Sequence, residues 1–202
     1  MSLKQTFGDI DVYLFDQLLR GRITPEQRIL DAGCGGGRNL VWLAAQGADI
    51  HAVDRDPEAM DGVRSLGLDD EHTHVAELDA LPYTDDCFDV VLCNAVLHFA
   101  RDEMHFDGML GELGRVLGPG GLLFARLAST IGLEERVQPL GGGRFTLPDG
   151  TERFLVDEAQ LIAATDRLGG QLLDPIKTTN VQGQRCMTTW VVRLSPATKA
   201  SQ

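Results

Sequence analysis

The feature that most constrains this chain is a run of glycines set between an apolar segment and a helical pattern. Arg28-Ile29-Leu30-Asp31-Ala32 reads as a strand and Gly33-Cys34-Gly35-Gly36-Gly37 follows at once. Asn39 to Gln46 then places Leu40, Leu43 and Ala44 on one helical face. Glycines let a turn be tight and let main chain approach a ligand closely. The N–H groups that open the next helix are expected to face that ligand.

The unit repeats along the chain. Asp49 to Val53 reads as a strand ending at Asp54, and Pro57 opens a helix over about 57–66. His74 to Leu78 is the next strand, ending near Asp79. Phe88 to Cys93 is near-continuously apolar, as in a buried parallel strand. A helix over about 103–117 carries Met104, Met109, Leu110, Leu113 and Val116, and Pro119-Gly120-Gly121 is expected to break it before a strand at Leu122 to Leu127. Strand–helix alternation of this kind predicts an α/β fold with a Rossmann-like, doubly wound, mostly parallel sheet and right-handed crossovers. Ligands in such sheets sit outside the carboxyl ends of the strands. The loops after Asp31, Asp54, Leu78 and Cys93 are therefore the candidates.

Beyond Ser129 the pattern changes. Residues 130–156 are Gly-rich, with a hairpin whose turn is Asp149-Gly150. Asp157 is placed to cap a helix reaching about Leu168. Strands over about 171–178 and 186–194 look like an antiparallel C-terminal pair. Before the first strand, the amphipathic stretch Ile10 to Leu19 reads as a helix.

The loop chemistry excludes two common nucleotide sites. Starting at Gly33, the third glycine position of G-x-G-x-x-G is Arg38, too large for the helix–strand packing of a dinucleotide site. The Lys-Ser/Thr ending of a P-loop is also missing from the loop. Asp54 lies 21 residues beyond Gly33, where a carboxylate can accept both hydroxyls of a ribose. Asp79 could accept from an adenine amino group, and Ala80 and Leu81 could offer N–H groups to a ring nitrogen.

Asp31-Ala32-Gly33-Cys34-Gly35-Gly36-Gly37 resembles the first motif of the class I S-adenosylmethionine-dependent methyltransferases. Asp54, Glu77 to Pro82, Phe88 to Val91, Leu97-His98-Phe99 and Arg115 to Gly121 resemble their later motifs, in order, over about residues 28–127. The family is of the type 11/25 kind, and Gly37-Arg38-Asn39 with the short chain looks most like its small tellurite-resistance-type branch. By that resemblance the cofactor is S-adenosyl-L-methionine. Residues near Asp31, Gly33 and Gly35 would line its methionine part, Asp54 its ribose, and Asp79 and Ala80 its adenine. Asn94 would lie near the sulfonium, and Arg38 and Tyr13 would be candidates for the carboxylate.

Residues 1–24 would pack over that cofactor site, 25–194 would form a single methyltransferase domain with 130–156 as a substrate lid, and 195–202 would be a tail. His98 is a candidate general base, since imidazole titrates near neutrality; it could equally support the loop. His105 reads as a surface residue, and His72 and His74 lack a third ligand, so no metal is expected. Arg136, Arg144, Arg153 and Arg185 read as surface charge, unless several converge on the pocket, which would suit an anionic substrate.

Eighteen Lys and Arg against 30 Asp and Glu give a formal net charge of −12, which opposes binding to a phosphate backbone. The expected acceptor is a small molecule rather than nucleic acid. Cys34, Cys87, Cys93 and Cys186 form no C-x-x-C pair and read as buried thiols. No signal-peptide pattern and no span of about 20 apolar residues is seen, so a cytoplasmic protein without a membrane segment is expected. Oligomeric state is beyond the sequence. Two rivals remain: a non-catalytic cofactor-binding or sensor domain, and a nicotinamide-dependent oxidoreductase.

Overall fold

A computed structural model describes residues 2–197. Five strands run parallel: β1 (Arg28–Ala32), β2 (Asp49–Asp54), β3 (Thr73–Val75), β4 (Phe88–Asn94) and β5 (Leu117–Ala128). Three short strands follow, β6 (Gln138–Gly141), β7 (Arg144–Thr146) and β8 (Glu152–Phe154), then β9 (Gly170–Leu172), β10 (Lys177–Val181) and β11 (Arg185–Leu194). The main sheet is ordered β3-β2-β1-β4-β5-β11-β10, with β9 also on β11 and all three late strands antiparallel. Strand order reverses between β1 and β4, and the crevice for a ligand opens at such a reversal.

Alternation along the strands assigns the two faces. Val91 and Cys93 of β4 join one core with Leu110 and Leu113 of α5 (Glu103–Val116) and Leu161 of α6 (Glu158–Arg167). Val90 and Leu92 join the other with Leu14 of α2 (Val12–Leu19), Leu43 of α3 (Val41–Ala45) and Met60 of α4 (Ala59–Arg64). A helix of five residues, α1 (Leu3–Phe7), stacks Phe7 on Trp42. Period-2 burial on both faces, each covered by helices, is what a doubly wound sheet requires.

Three expectations are corrected. Pro119-Gly120-Gly121 does not end the helix ahead of a new strand; it lies inside β5, where Phe88 faces Leu117 but Val90 already faces Leu122. The extra residues form a bulge, helped by Gly120 at φ +77°. The strand expected over 171–178 is two, because β9 and β10 pair with different stretches of the same edge of β11. The strand expected to reach Leu78 stops at Val75. The 149–150 turn joins β7 to β8 in a separate three-stranded antiparallel sheet, and Asp157 caps α6 by accepting from the Gln160 N–H. Of the expected tail, Ser195 accepts from the Gly120 N–H and donates to the Gly169 carbonyl, while 198–202 lie outside the described residues. Among the described residues no helix is long and apolar enough to cross a membrane.

Candidate cofactor site

The glycine loop is pinned to β2 by its own main chain. The N–H groups of Gly33 and Cys34 both donate to the Val53 carbonyl, at 2.8 and 3.0 Å, and Gly37 donates to the Cys34 carbonyl. Gly35 N–H donates to Asp54 Oδ2 at 2.8 Å, and Asp56 N–H donates to Oδ1 at 3.0 Å. Four loop donors are thus used within the protein. These four loop positions therefore offer a ligand close approach rather than free N–H donors. Gly33 has φ +80°, and a Cβ there would lie 2.2 Å from Val96 Cγ2, so no other residue fits.

A cavity of about 390 Å³ opens beside this loop. Gly33, Gly35, Asp54 and Asn94 line it. Leu78, Phe99 and Met109 give it an apolar side, and Glu77 and Asp56 add carboxylates. Both oxygens of Asp31, 1% exposed behind the loop, have no hydrogen-bond partner. Burial pushes its carboxyl up to about 7, with Asp54 adding to the rise and Arg38 opposing it. The amide Oδ1 and Nδ2 of Asn94 are likewise buried and unpartnered. Buried polar atoms without partners carry a cost and point to a missing ligand. A cationic or ammonium-bearing group beside Asp31 and a polar group beside Asn94 would complete the site. S-Adenosylmethionine offers both, and the residues present fit it.

Other expected residues lie elsewhere. Tyr13 does not reach the cavity: its hydroxyl is 2.7 Å from Thr179 Oγ1 on β10, with Arg126 over its ring. Arg38 donates to the Asp9 carbonyl at 3.0 Å and is exposed. Asp79 and Ala80 are not on the cavity wall; Asp79 is drawn toward Arg101 and His105, each 3.5 Å away. His105 is not a surface residue: its side chain is 7% exposed, Nδ1 accepts from the Arg101 N–H, and the ring lines the cavity. Its position one turn inside the capped start of α5 was the signal for this. Ala95, which the sequence did not flag, holds φ +66° at the end of β4 and lies on the same wall. A non-glycine residue in that conformation is strained and often marks a functional segment.

A second cavity of about 280 Å³ also touches Ala95. His98, Arg126, Arg153 and Arg185 line it. His98 Nδ1 accepts from the Ala128 N–H at 3.3 Å, so the hydrogen of the neutral ring belongs on Nε2. Burial, reinforced by Arg153, pushes its pKa down to about 4. This corrects the general-base expectation, because the ring's only lone pair is already engaged. Far from both cavities, Asp49, His51 and His72 come together at the other end of β2. Arg28 Nη2 stands 3.0 Å from His51 Nε2, a cation where a metal would have to bind.

The model for the methyltransferase domain matches residues 30–125. The chain is 34% identical over 103 residues to the uncharacterized methyltransferase YodH of Bacillus subtilis, covering 50% of this chain and 42% of that one. It is 30% identical over 162 residues to a ubiquinone biosynthesis O-methyltransferase of Xylella fastidiosa, covering 73% and 62%. The chain thus spans about half the length of the curated relatives it matches. A SAM-dependent methyltransferase structure from Methanosarcina mazei superposes with a TM-score of 0.72 at 19% identity, over 89% of this chain and 97% of the other, and so shares the fold. Residues 30–125 match the methyltransferase domain family, and the fold is that of solved S-adenosylmethionine-dependent methyltransferases.

Proposed function

We propose that the protein transfers the methyl group of S-adenosylmethionine to a small-molecule acceptor. The observation that carries this reading is the pair of buried, unpartnered polar groups, Asp31 and Asn94, around the glycine loop. Bound there, the cofactor supplies a sulfonium methyl whose carbon–sulfur bond breaks toward sulfur as an acceptor lone pair forms the new bond. Asp54 would accept from the ribose hydroxyls; each of its oxygens accepts one main-chain N–H and keeps a lone pair. Leu78, Phe99 and Met109 would hold the adenine, and Asp31 the ammonium, at the bottom of the loop. Asn94 and Ala95 would face the reacting end. The acceptor would lie on the far side of Ala95, where in-line attack needs the nucleophile about 3–3.5 Å from the methyl carbon. The relative from Xylella fastidiosa is a ubiquinone biosynthesis O-methyltransferase, which accords with this reading.

In the second cavity His98 is a donor through Nε2, and both Thr151 bonds fall on Asp149 Oδ1, which leaves Oδ2 as the proton acceptor there. An acceptor that is already a thiolate or an oxyanion would need no base. The test is titration calorimetry with S-adenosylmethionine, S-adenosylhomocysteine and NADH on the wild type and on Asp54→Ala. Micromolar binding of the first two, lost in the variant and absent for NADH, is expected. Binding of NADH alone overturns the reading. Cofactor binding without turnover on any small acceptor would leave a sensor domain.

A further inference from the structure

Resting on that reading of the first cavity, we infer that the second cavity recognises an acceptor through an anionic group, a carboxylate or a phosphate, held between Arg153 and Arg185. The chain as a whole is strongly acidic, at −12, yet three guanidinium groups from three strands converge on this one cavity. Arg126 comes from β5, Arg153 from β8 and Arg185 from β11.

Arg126 is already answered: its Nη1 donates to the buried Asp11 carboxylate at 2.7 Å. The other two form no ion pair: Asp149, the one carboxylate lining the cavity, feels both only at longer range and accepts from Thr151 instead. Among the described residues neither Arg153 nor Arg185 has a carboxylate oxygen within 4.0 Å, although 30 acidic residues compete for cations. Arg144, on the same small sheet, shows the contrast by pairing with Glu152 at 3.0 Å.

Arg153 is also held in place. Its guanidinium lies 4.9 Å from the centre of the Phe99 ring, and Nη1 donates to the Glu152 carbonyl. Phe99 is part of the first cavity's wall, so this arginine is braced against the cofactor side. Planar guanidinium groups with free donors bind carboxylate and phosphate through two bonds. His98 adds a third donor, since its Nδ1 is taken and Nε2 carries the hydrogen. Leu147 and Met187 supply an apolar wall for the remainder of the molecule.

The cavity is of about 280 Å³ and holds a ligand of modest size. Phenylacetate, phenyl phosphate and the neutral phenylacetamide serve as probes, titrated by calorimetry at fixed ionic strength into wild type, Arg153→Gln/Arg185→Gln and Arg144→Gln, each with and without S-adenosylhomocysteine. Both anions are expected to bind the wild type at least tenfold more tightly than the amide. The double variant should lose that preference while its S-adenosylhomocysteine affinity, which also reports folding, stays within twofold. Arg144→Gln should behave as wild type. Preference for only one of the two anions identifies which group the site is shaped for and supports the inference. Equal binding of anions and amide, or an anion preference that survives the double substitution, overturns it. If S-adenosylhomocysteine fails to bind while the anion preference depends on the two arginines, the anion site stands and the cofactor reading falls.

Discussion

The two adjoining cavities are built by opposite means. The first is shaped by main chain: a glycine loop tied to β2 and a strained Ala95, with carboxylates at Asp54, Asp56 and Glu77 around it and Asp31 buried behind the loop. The second is shaped by side chains, chiefly arginines, delivered from the later strands and from the separate small sheet. A main-chain site tolerates little change, because altering it means altering the fold. A side-chain site can be rebuilt residue by residue while the sheet beneath it stays intact. On the proposed reading, this division leaves the cofactor end fixed and the acceptor end adjustable.

Four substitutions would break or sharpen that contrast. The largest effect is expected at Gly33→Ala, which puts a side chain at φ +80° against Val96. It should cost about 3 kcal/mol of stability or more, read by urea denaturation, and only part should return in Gly33→Ala/Val96→Ala because the backbone strain persists. A neutral Gly33→Ala would dissolve the distinction between the two cavities. Asp54→Ala should weaken S-adenosylhomocysteine about 100-fold, since it removes ribose acceptors and the anchors of Gly35 and Asp56 together.

Asp31 gives a pH signature. Its carboxyl is raised from 3.8 to about 7 in the folded chain, so the protonated form is the favoured one. The stability it contributes is full below pH 3.8 and is lost as pH rises through about 7. Asp31→Asn should therefore stabilise the ligand-free protein at pH 8, by at most about 4 kcal/mol, in thermal or urea melts. If an ammonium pairs with the ionised carboxylate, affinity for S-adenosylhomocysteine should climb up to tenfold per pH unit toward 7 and then level off. The asparagine variant should bind weakly and without that slope. An unchanged slope would remove Asp31 from the site.

Tyr13→Phe is expected to have the smallest effect. Losing the hydroxyl from Thr179 should cost about 1 kcal/mol of stability and leave cofactor affinity within twofold. A larger loss of affinity would return Tyr13 to the cofactor carboxylate, where the family resemblance put it.

What could be read in advance follows the same division. Strand β1, the loop glycines and the placement of Asp54 and Asn94 depend on local period and on backbone freedom, and both are written in adjacent residues. The doubly wound architecture followed from repeating that unit. Contacts between distant segments left no local trace. Tyr13 and Thr179 are 166 residues apart, and the partnership of Arg126 with Asp11 spans 115. Asp79 was placed at the adenine by position along the chain, but His105 of α5 and Arg101 just before that helix stand 3.5 Å from its carboxylate. Pro119-Gly120-Gly121 is breaker chemistry that here serves as a bulge because β4 and β11 pair on either side of β5. The arginines of the second cavity come from β5 and β11 of the main sheet and from β8 of the small one, and only the placing of one sheet beside the other brings them together.

Ala95 forms part of both cavity walls, and this has a consequence for turnover. On the proposed reading, a sulfonium cation and an acceptor anion lie on opposite sides of one residue. Each ligand then raises the other's affinity by the same factor, as reciprocity between sites demands. Methyl transfer discharges the sulfonium, so that mutual attraction vanishes in the same step that makes the products. Cooperative loading would thus give way to independent release, and the spent cofactor would not hold the product in place.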